Sequence, residues 1–319
     1  MSSSNDSISC LLPVKNGEKY LNKLIPVILS MLKDGDDLII INDGSEDGSG
    51  RVIEEFTLFD SRIKLINTEG VGLVKALNLG IQTSQNGWVA RFDVDDLYSD
   101  QRLAVQRKLM AEDVSVIFSD YKFKSSSGRS LGVVYSAISP TACALALVSG
   151  QRSAHPVALI NRRLLIECGG YKVDDFPVED LALWLRLSRI GKIVSSHNLL
   201  LDYQLSLGSI SASSRKIQLS KKADLIRSYD LWPLLVEQSL TNFAHTVILY
   251  KSIPNSSERL FLHILDLLTA KKFVGFGVKP TRLLASLGVF TSICMFFVGL
   301  KMISWVLIRR LYRIFRTKF

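Results

Sequence analysis

Three carboxylates, Asp93, Asp95 and Asp96, lie within four positions directly after the apolar run 88–92. Like charges this close repel one another, so such a cluster is unfavourable unless a cation binds among them. Oxygen ligands suit hard ions such as Mg²⁺ or Mn²⁺, which bridge diphosphate oxygens and neutralise charge on a departing nucleotide. The cluster therefore predicts a divalent metal site. The alternative is a solvated acidic turn that caps the next helix.

A second acidic loop, Asn42-Asp43-Gly44-Ser45, follows the apolar run 38–41. Loops of this composition are also common turns. Both acidic loops follow predicted strands, and in a parallel sheet ligands bind at the carboxyl ends of the strands. We therefore expect one loop to hold a base and ribose while the other holds the metal and phosphates.

A carboxylate pair, Glu179 and Asp180, opens the apolar run 181–187. Acidic residues in the first turn of a helix are ordinary partners of the helix dipole. Beside a cleft, such a pair could instead supply a general base that takes the proton from an attacking hydroxyl. His155, which precedes Pro156 in an apolar setting, is interpreted as structural.

Alternating strands and helices are predicted to position these residues. Apolar runs predict strands at 8–14, 38–41, 62–66 and 88–92, and helical spacing predicts helices at 20–33, 49–59 and 72–83. Further on, we predict strands at 116–118, near Ile193 and at 199–203, a turn at 125–128, and helices around 141–148 and across 215–274. This alternation indicates an α/β fold with a mostly parallel sheet flanked by helices.

The net charge of +9 on 319 residues is concentrated at the C-terminal end. Residues 251–319 contain 12 of the 39 Lys and Arg but 2 of the 30 Asp and Glu, so the rest of the chain is close to neutral. Because the basic residues flank an apolar segment, nucleic-acid binding is not expected. The four cysteines are scattered without metal-ligand spacing and are expected to be reduced.

Taken in order, these segments resemble the inverting family 2 glycosyltransferases of the GT-A fold. The resemblance runs through most of residues 8–214. Its pieces are Pro13-Val14-Lys15-Asn16-Gly17, Asn42-Asp43-Gly44-Ser45, 72–80 with Asn78, Ala90-Arg91-Phe92-Asp93-Val94-Asp95-Asp96, His155-Pro156, Gly169-Gly170-Tyr171, and Glu179-Asp180 followed by Leu183-Trp184-Leu185-Arg186.

The resemblance implies a role for each matching residue. Pro13 and Asn16 would line the nucleotide pocket, and Asp43 would pair with the base. Asp93 and Asp95, with Asp96 beside them, match the DxD signature that holds the metal and the donor diphosphate. Asp180 is implied as the base of a single inverting displacement, with Glu179 as the second choice.

Two positions depart from the family pattern. The usual paired acids before Gly-Ser are Asn42-Asp43 here. A late segment that often reads Tyr-Arg-Val-His-Pro-Gly-Ser is Tyr203-Gln204-Leu205-Ser206-Leu207-Gly208-Ser209 in this chain, without the Arg and the His. If that His helps to bind metal or diphosphate, this chain binds them differently, binds them more weakly, or uses Lys75 or another nearby cation.

An apolar segment near the C-terminus predicts membrane association. Residues 283–300 carry no charge and the stretch continues to Ile308, which is long enough to cross a bilayer. Basic residues on both sides leave its orientation open. The segment 283–308 is therefore a single span, a re-entrant element or an in-plane element, and the alternative is a helix buried in the core or in an oligomer interface.

These observations predict three parts: a GT-A catalytic domain at 1–214, a helical extension at 215–274 and a membrane-associating segment with a basic tail at 275–319. The expected activity is inverting transfer of a sugar from a nucleotide sugar, a UDP-sugar above all, to a saccharide or lipid-linked acceptor in cell-surface polysaccharide synthesis. The alternatives are a polyprenyl-phosphate glycosyltransferase and a non-catalytic relative that binds nucleotide sugar. Because residues 1–9 lack a signal-peptide pattern, we expect it at the cytoplasmic face of the inner membrane.

Overall fold

The structure is a computed structural model, and it describes residues 6–136 except 126, Cys143, Leu147, 153–205 and 215–228. The strands in this part of the chain are β1 (Ile8–Val14), β2 (Asp37–Asp43), β3 (Ile63–Thr68), β4 (Trp88–Arg91), β5 (Leu97–Tyr98), β6 (Val114–Ser125), β7 (Ser130–Val134), β8 (Leu159–Asn161) and β9 (Lys192–Leu205). The helices are α1 (Glu18–Met31), α2 (Ser49–Phe59), α3 (Leu73–Thr83), α4 (Arg102–Arg107), α5 (Arg162–Glu167), α6 (Glu179–Leu187) and α7 (Arg215–Ser228). Short 3₁₀ turns lie at His155–Val157 and Val173–Asp175.

One sheet runs through this part of the protein in the order β3-β2-β1-β4-β8-β6-β9-β5, with β7 paired to β6. Strands β3, β2, β1 and β4 are parallel, as predicted. The prediction of a mostly parallel sheet is wrong for the other half. There β8 is antiparallel to both β4 and β6, and β5 is antiparallel to β9. Three-residue and two-residue strands carry no sequence signal of their direction, which depends on how the chain returns to the sheet.

Two predicted strands prove to be one. The segments near Ile193 and at 199–203 both belong to β9, which pairs in parallel with β6 along most of its length. The polar residues between them form an irregularity in which His197 takes a left-handed backbone conformation, with φ of 55°. A bulge of this kind bends a strand without ending it, so a polar interruption in the sequence gave the wrong boundary.

Alternating side chains of the parallel strands face two apolar layers. Leu11, Ile39 and Ile41 face one layer with α3 and α6, whereas Cys10, Leu12, Leu38 and Ile40 face the other layer with α1, α2 and α4. This is the two-residue period of a strand that is buried on both faces. Cys143 and Leu147, the described residues of the helix predicted around 141–148, are helical and buried. The described cysteines Cys10, Cys143 and Cys168 are free.

Only the beginning of the predicted C-terminal extension lies within the described residues. Helix α7 covers Arg215–Ser228, and the predictions for 229–274, for the segment 275–319 and for the apolar stretch 283–308 lie outside them. Side chains of α7 bind the segment before α6: Gln218 Nε2 donates to Pro177 O at 3.1 Å, and Lys221 Nζ donates to Phe176 O at 2.6 Å. Within the described residues, no helix combines the length and apolar character needed to cross a membrane.

A buried carboxylate joins the amino ends of β1 and β2 to α4. The side chain of Asp36 is fully buried and accepts hydrogen bonds from the backbone N–H groups of Ile8 and Lys33, both at 2.8 Å. It also pairs with Arg107, whose Nη2 lies 2.6 Å from Asp36 Oδ2. This contact holds the side of the sheet opposite to the acidic loops.

We predict that Asp36→Ala lowers the free energy of unfolding by about 3 kcal/mol, because it leaves Arg107 and two N–H groups without their acceptor. Urea denaturation followed by circular dichroism measures the change. The matched control is Asp34→Ala, which removes an exposed aspartate two residues away and should change stability by less than about 0.5 kcal/mol. Equal effects of the two substitutions would contradict the prediction.

Candidate functional site

The loops that follow β1, β2, β3 and β4 meet at the carboxyl edge of the parallel half of the sheet. Because these strands are parallel and adjacent, residues 15–17, 44–48, 69–72 and 92–96 open on the same edge. This arrangement agrees with the prediction that the two acidic loops share an edge. It is the usual position of a ligand site in an open α/β sheet.

The first two loops are tied to each other by side chains. Asn16, in a left-handed conformation with φ of 55°, receives a hydrogen bond at Oδ1 from the N–H of Glu46 and donates its own N–H to Ser45 Oγ. Asparagine tolerates this conformation better than most residues. Asn16 is exposed and Pro13 is half-buried within β1. Both predicted pocket residues therefore lie at this edge.

Gly17 connects the first loop to the acidic loop after β4. A Cβ atom at position 17 would lie 2.7 Å from Cγ2 of Val94, the residue between the two acids of the DxD signature. A Cβ atom does not approach another carbon this closely, so a larger residue at position 17 would force Val94 to shift. The close approach explains the glycine.

Asp43 binds protein groups with both of its carboxylate oxygens. Oδ1 accepts from Thr68 Oγ1 at 2.6 Å and from the N–H of Val71 at 2.7 Å, and Oδ2 accepts from the N–H of Gly72 at 2.9 Å. These bonds fix the loop that leads into α3. Asp43 is buried, and its predicted contact with a nucleotide base stays a prediction.

The acidic loop after β4 is held by a buried arginine. Arg91 is 2% exposed, and its Nη2 lies 2.5 Å from Asp93 Oδ1, while Nη1 donates to Phe92 O. Burial alone would lower the pKa of Arg91, but Asp93 and nearby groups outweigh it and the pKa is raised. In the sequence, Arg91 is recognised only as part of the motif 90–96. The feature that could have identified its role is a single arginine in an apolar strand immediately before three acids.

The other two acids of the loop differ in their surroundings. Asp96 is buried and accepts a hydrogen bond from the N–H of Gln204 at 2.8 Å, which ties the loop to the end of β9. Asp95 is half-buried. Burial and then Asp93 raise the pKa of both carboxyls. The ionised forms of Asp95 and Asp96 are therefore less favourable than those of exposed acids. A cation bound nearby would stabilise the ionised forms.

The residues present fit a divalent metal that is shared with phosphate. In the described part of the chain, no three His, Cys, Asp or Glu side chains are grouped so as to hold a metal ion by themselves. Mg²⁺ is often bound by only one or two carboxylates together with substrate phosphates and water. Asp93, with 30% of its side chain exposed, and half-buried Asp95 could supply those carboxylates.

Glu179 and Asp180 lie close enough to Asp93 for its charge to act on both of them. They open α6, where Asp180 Oδ1 accepts from the N–H of Leu181 at 2.7 Å. Within the part of the chain that the structure describes, buried Glu179 Oε2 has no hydrogen-bond partner. Burial and then Asp180 raise the pKa of Glu179 to about 7. Burial also raises the pKa of Asp180, and Asp93 contributes to both shifts. The predicted base and the predicted metal ligands therefore interact electrostatically.

Lysine side chains from two other elements act electrostatically on these acids, and the predicted Lys75 is exposed. Lys75 is exposed on α3, and none of the ion pairs found in the described residues includes it. Its predicted part in donor binding stays a prediction. Burial raises the pKa of Asp180 and of Asp95, and the charges of Lys222 on α7 and of Lys19 respectively offset part of these two shifts.

The motifs that contain His155 and Tyr171 pack against α6. Asn78 on α3 clamps the backbone of Tyr171, donating to its O at 2.8 Å and accepting from its N at 3.0 Å. The Tyr171 hydroxyl lies 2.7 Å from His155 Nε2, and the His155 ring packs against Trp184 with centroids 5.8 Å apart. Burial and then Arg91 hold the pKa of His155 well below its usual range. These contacts agree with a structural interpretation of His155.

Comparison with known proteins gives a consistent result. Residues 9–153 match the model of the glycosyl transferase family 2. The chain is 31% identical over 126 residues to glycosyltransferase GlyA of Streptococcus pneumoniae, covering 39% of this chain and 18% of that protein. It is 26% identical over 247 residues to the O-antigen biosynthesis glycosyltransferase WbnJ of Escherichia coli, covering 75% of this chain and 92% of that protein.

Solved structures share the fold. S. aureus TarS 1-349 in complex with UDP-GlcNAc has a TM-score of 0.56 at 17% identity, over 83% of this chain and 81% of that chain. The mannosyltransferase PcManGT from Pyrobaculum calidifontis, in complex with GDP-Man and Mn²⁺, has a TM-score of 0.54 at 14% identity, over 90% and 80%. At these identities the likeness shows the fold alone, a GT-A-like α/β fold. The α/β class was predicted, whereas the mixed sheet was not.

The chain spans only 18%, 40% and 33% of the lengths of the first three curated relatives. The family model and the curated relatives both point to glycosyltransferases. Residues 9–153 are therefore similar to the glycosyl transferase family 2.

Proposed function

We propose that the protein transfers a sugar from a nucleotide-sugar donor to an acceptor hydroxyl with inversion at the anomeric carbon. The observation that carries the proposal is the acidic loop at the carboxyl edge of the sheet, where Asp93 pairs with buried Arg91 at 2.5 Å. A second acid pair, Glu179-Asp180, has pKa values that are raised chiefly by burial and to a smaller extent by Asp93, although 86 residues separate Asp93 from Glu179. A displacement at the anomeric carbon requires acids that hold the donor and its metal, and a base nearby that accepts the proton of the acceptor hydroxyl.

Asp93 and Asp95 are the proposed metal ligands, with Asp96 holding the loop from behind. Mn²⁺ beside GDP-Man in a protein of the same fold supports a divalent ion in this role. When bound, such an ion would neutralise charge on the departing nucleoside diphosphate. Pro13, Asn16, Asp43 and Lys75 are the proposed donor-binding residues. The UDP-GlcNAc bound to TarS supports a UDP-sugar as the first donor class to test.

Asp180 is the proposed general base. Its carboxylate takes the proton of the acceptor hydroxyl as that oxygen forms a bond to the anomeric carbon, while the bond to the diphosphate oxygen breaks on the opposite side. The nucleoside diphosphate leaves with the electron pair. A raised pKa suits a base that works near neutral pH, because an ordinary aspartate accepts protons poorly there. Glu179 is the alternative base, since it lies next to Asp180 with one free oxygen.

We further propose a saccharide or lipid-linked acceptor in cell-surface polysaccharide synthesis at the cytoplasmic face of the inner membrane. The relative named for O-antigen biosynthesis supports such an acceptor. The apolar stretch 283–308 with its basic flanks supports a position at a membrane surface. Transfer to soluble acceptors that stays complete after removal of residues 275–319 would count against a lipid-linked acceptor.

Donor hydrolysis and thermal shift with a panel of UDP- and GDP-sugars, with and without Mn²⁺, test the activity. We predict that one donor is hydrolysed only with metal and that Asp95→Asn reduces this rate by at least about 100-fold, because charge on the leaving group is no longer neutralised. Asp100→Asn, at an exposed aspartate five residues away, is the control and should retain the rate. If no donor is bound or hydrolysed under any metal, a non-catalytic relative is the better interpretation.

The pH dependence of stability distinguishes a functional Glu179 from an acid that merely stabilises the helix N-terminus. A carboxyl whose pKa is raised on folding, here to about 7, destabilises the native state as the pH rises from its unfolded value through 7. We predict that Glu179→Gln is close to wild type at pH 5 and more stable at pH 8, by about 1–3 kcal/mol.

Urea unfolding at both pH values measures this difference, and Glu112→Gln, at an exposed position, is the control. A helix-stabilising acid would give the opposite sign, because Glu179→Gln would then lose stability at pH 8. That outcome would indicate that Glu179 and Asp180 only stabilise the N-terminus of α6.

A further inference from the structure

Tyr98 binds both backbone groups of Asp93. The N–H of Asp93 donates to the Tyr98 hydroxyl oxygen at 2.6 Å, and the same hydroxyl donates to Asp93 O at 3.2 Å. These two bonds join the first acid of the loop, Asp93, to Tyr98, five residues further along the chain. The closed segment contains Asp95 and Asp96, so the phenol fixes the backbone that carries the three acids.

The ring of Tyr98 is held in turn by an aromatic and a cationic neighbour. Its centroid lies 4.7 Å from that of Phe92, at a tilt of 59°. The Arg102 guanidinium lies 4.1 Å from the Phe92 centroid and 5.1 Å from the Tyr98 centroid. Both rings therefore contact one cation.

Arg102 is completely buried, and the hydrogen bonds it makes go to neutral groups. Nε donates to Gln106 Oε1 and Nη2 donates to Ala158 O, both at 3.2 Å, whereas Nη1 has no hydrogen-bond partner among the described residues. Gln106 continues the chain of contacts by donating to Val157 O at 2.8 Å. Burial lowers the pKa of Arg102 to about 10, so it remains charged at neutral pH.

A buried cation without a carboxylate partner is unfavourable, and an apolar residue could fill the same space. What distinguishes this position is the loop in front of it, where three acids repel one another before any metal binds. A positive charge behind the loop offsets part of that repulsion, and the planar guanidinium holds the ring whose hydroxyl fixes Asp93. A lysine would supply the charge without the planar stacking surface.

We propose that Tyr98 and Arg102 are positioning residues that hold the backbone of Asp93–Asp96 in the shape that binds the metal and the donor diphosphate. This rests on the proposed function. Tyr98 acts through the backbone of Asp93 and Arg102 acts through the ring of Tyr98, so their loss weakens metal binding and leaves recognition of the nucleoside unchanged.

The main test is Tyr98→Phe, which keeps the ring on Phe92 and Arg102 and removes only the hydroxyl. Mn²⁺ binding is titrated calorimetrically in the presence of saturating UDP, and UDP binding is titrated separately in EDTA. We predict that the Mn²⁺ dissociation constant rises by about tenfold, as is common when a group that orients a metal ligand is lost. UDP binding in EDTA should stay unchanged. In the transfer assay, the apparent KM for Mn²⁺ should rise while kcat at saturating Mn²⁺ is retained.

Three further variants make the outcome decisive. Tyr121→Phe, which removes a hydroxyl from another tyrosine of the same sheet, should bind Mn²⁺ as the wild type does. Arg102→Met should weaken Mn²⁺ binding as Tyr98→Phe does, and Arg102→Lys should restore part of it. If an Arg102 variant fails to fold, Tyr98→Phe still decides the question. Asp95→Asn is the reference for a lost metal ligand.

Mn²⁺ binding by Tyr98→Phe within about twofold of wild type, while Asp95→Asn has lost it, overturns the inference and leaves the proposed function intact. An equal loss of UDP binding in EDTA also overturns it, because the hydroxyl would then support the whole site. If wild type and Asp95→Asn bind Mn²⁺ and UDP equally weakly, the proposed function itself fails and the inference with it.

Discussion

The Arg91 guanidinium lies at the carboxyl end of β4, almost completely buried, with Asp93 Oδ1 2.5 Å from its Nη2. Its charge also acts on Glu179, Tyr171 and His155, which reach it from other parts of the chain. Burying carboxylates from distant segments near one another is unfavourable unless positive charge compensates them. Arg91 supplies such a charge to Asp93 directly and to Glu179 through its field.

Holding that arrangement requires rigid surroundings, and the loops at this edge provide them. Asn16 and Ser45 bind each other's loops, Asp43 fixes the loop before α3, and Gly17 contacts Val94. On the far side, Asn78 clamps Tyr171, which supports His155. The elements themselves are anchored in two apolar layers on the faces of the sheet. A site built on the ends of packed strands and helices is held more precisely than one built on free loops.

The same site carries charges that work against the folded state. Asp95, Asp96, Glu179 and Asp180 all have raised pKa values, and Arg102 is buried without a carboxylate among its hydrogen-bond partners. Residues selected only for stability would not be placed in this way. Such strain is expected where a protein must bind charged ligands, because the ligand supplies the missing partner. The similarity of residues 9–153 to the glycosyl transferase family 2 agrees with this interpretation.

The sequence by itself determined the strands and helices of the first half and the identity of the acids, because apolar periodicity and acid clusters are local properties of the chain. The boundaries of β1 and α2 are those predicted from the sequence. The predicted parallel direction of β1 to β4 is confirmed. Only the tertiary structure decided that β8 runs antiparallel, that β9 is continuous through His197, and that Arg91 and Tyr98 hold Asp93. Strand direction and side-chain contact depend on how distant segments pack, and one chain read in order carries no signal of that packing.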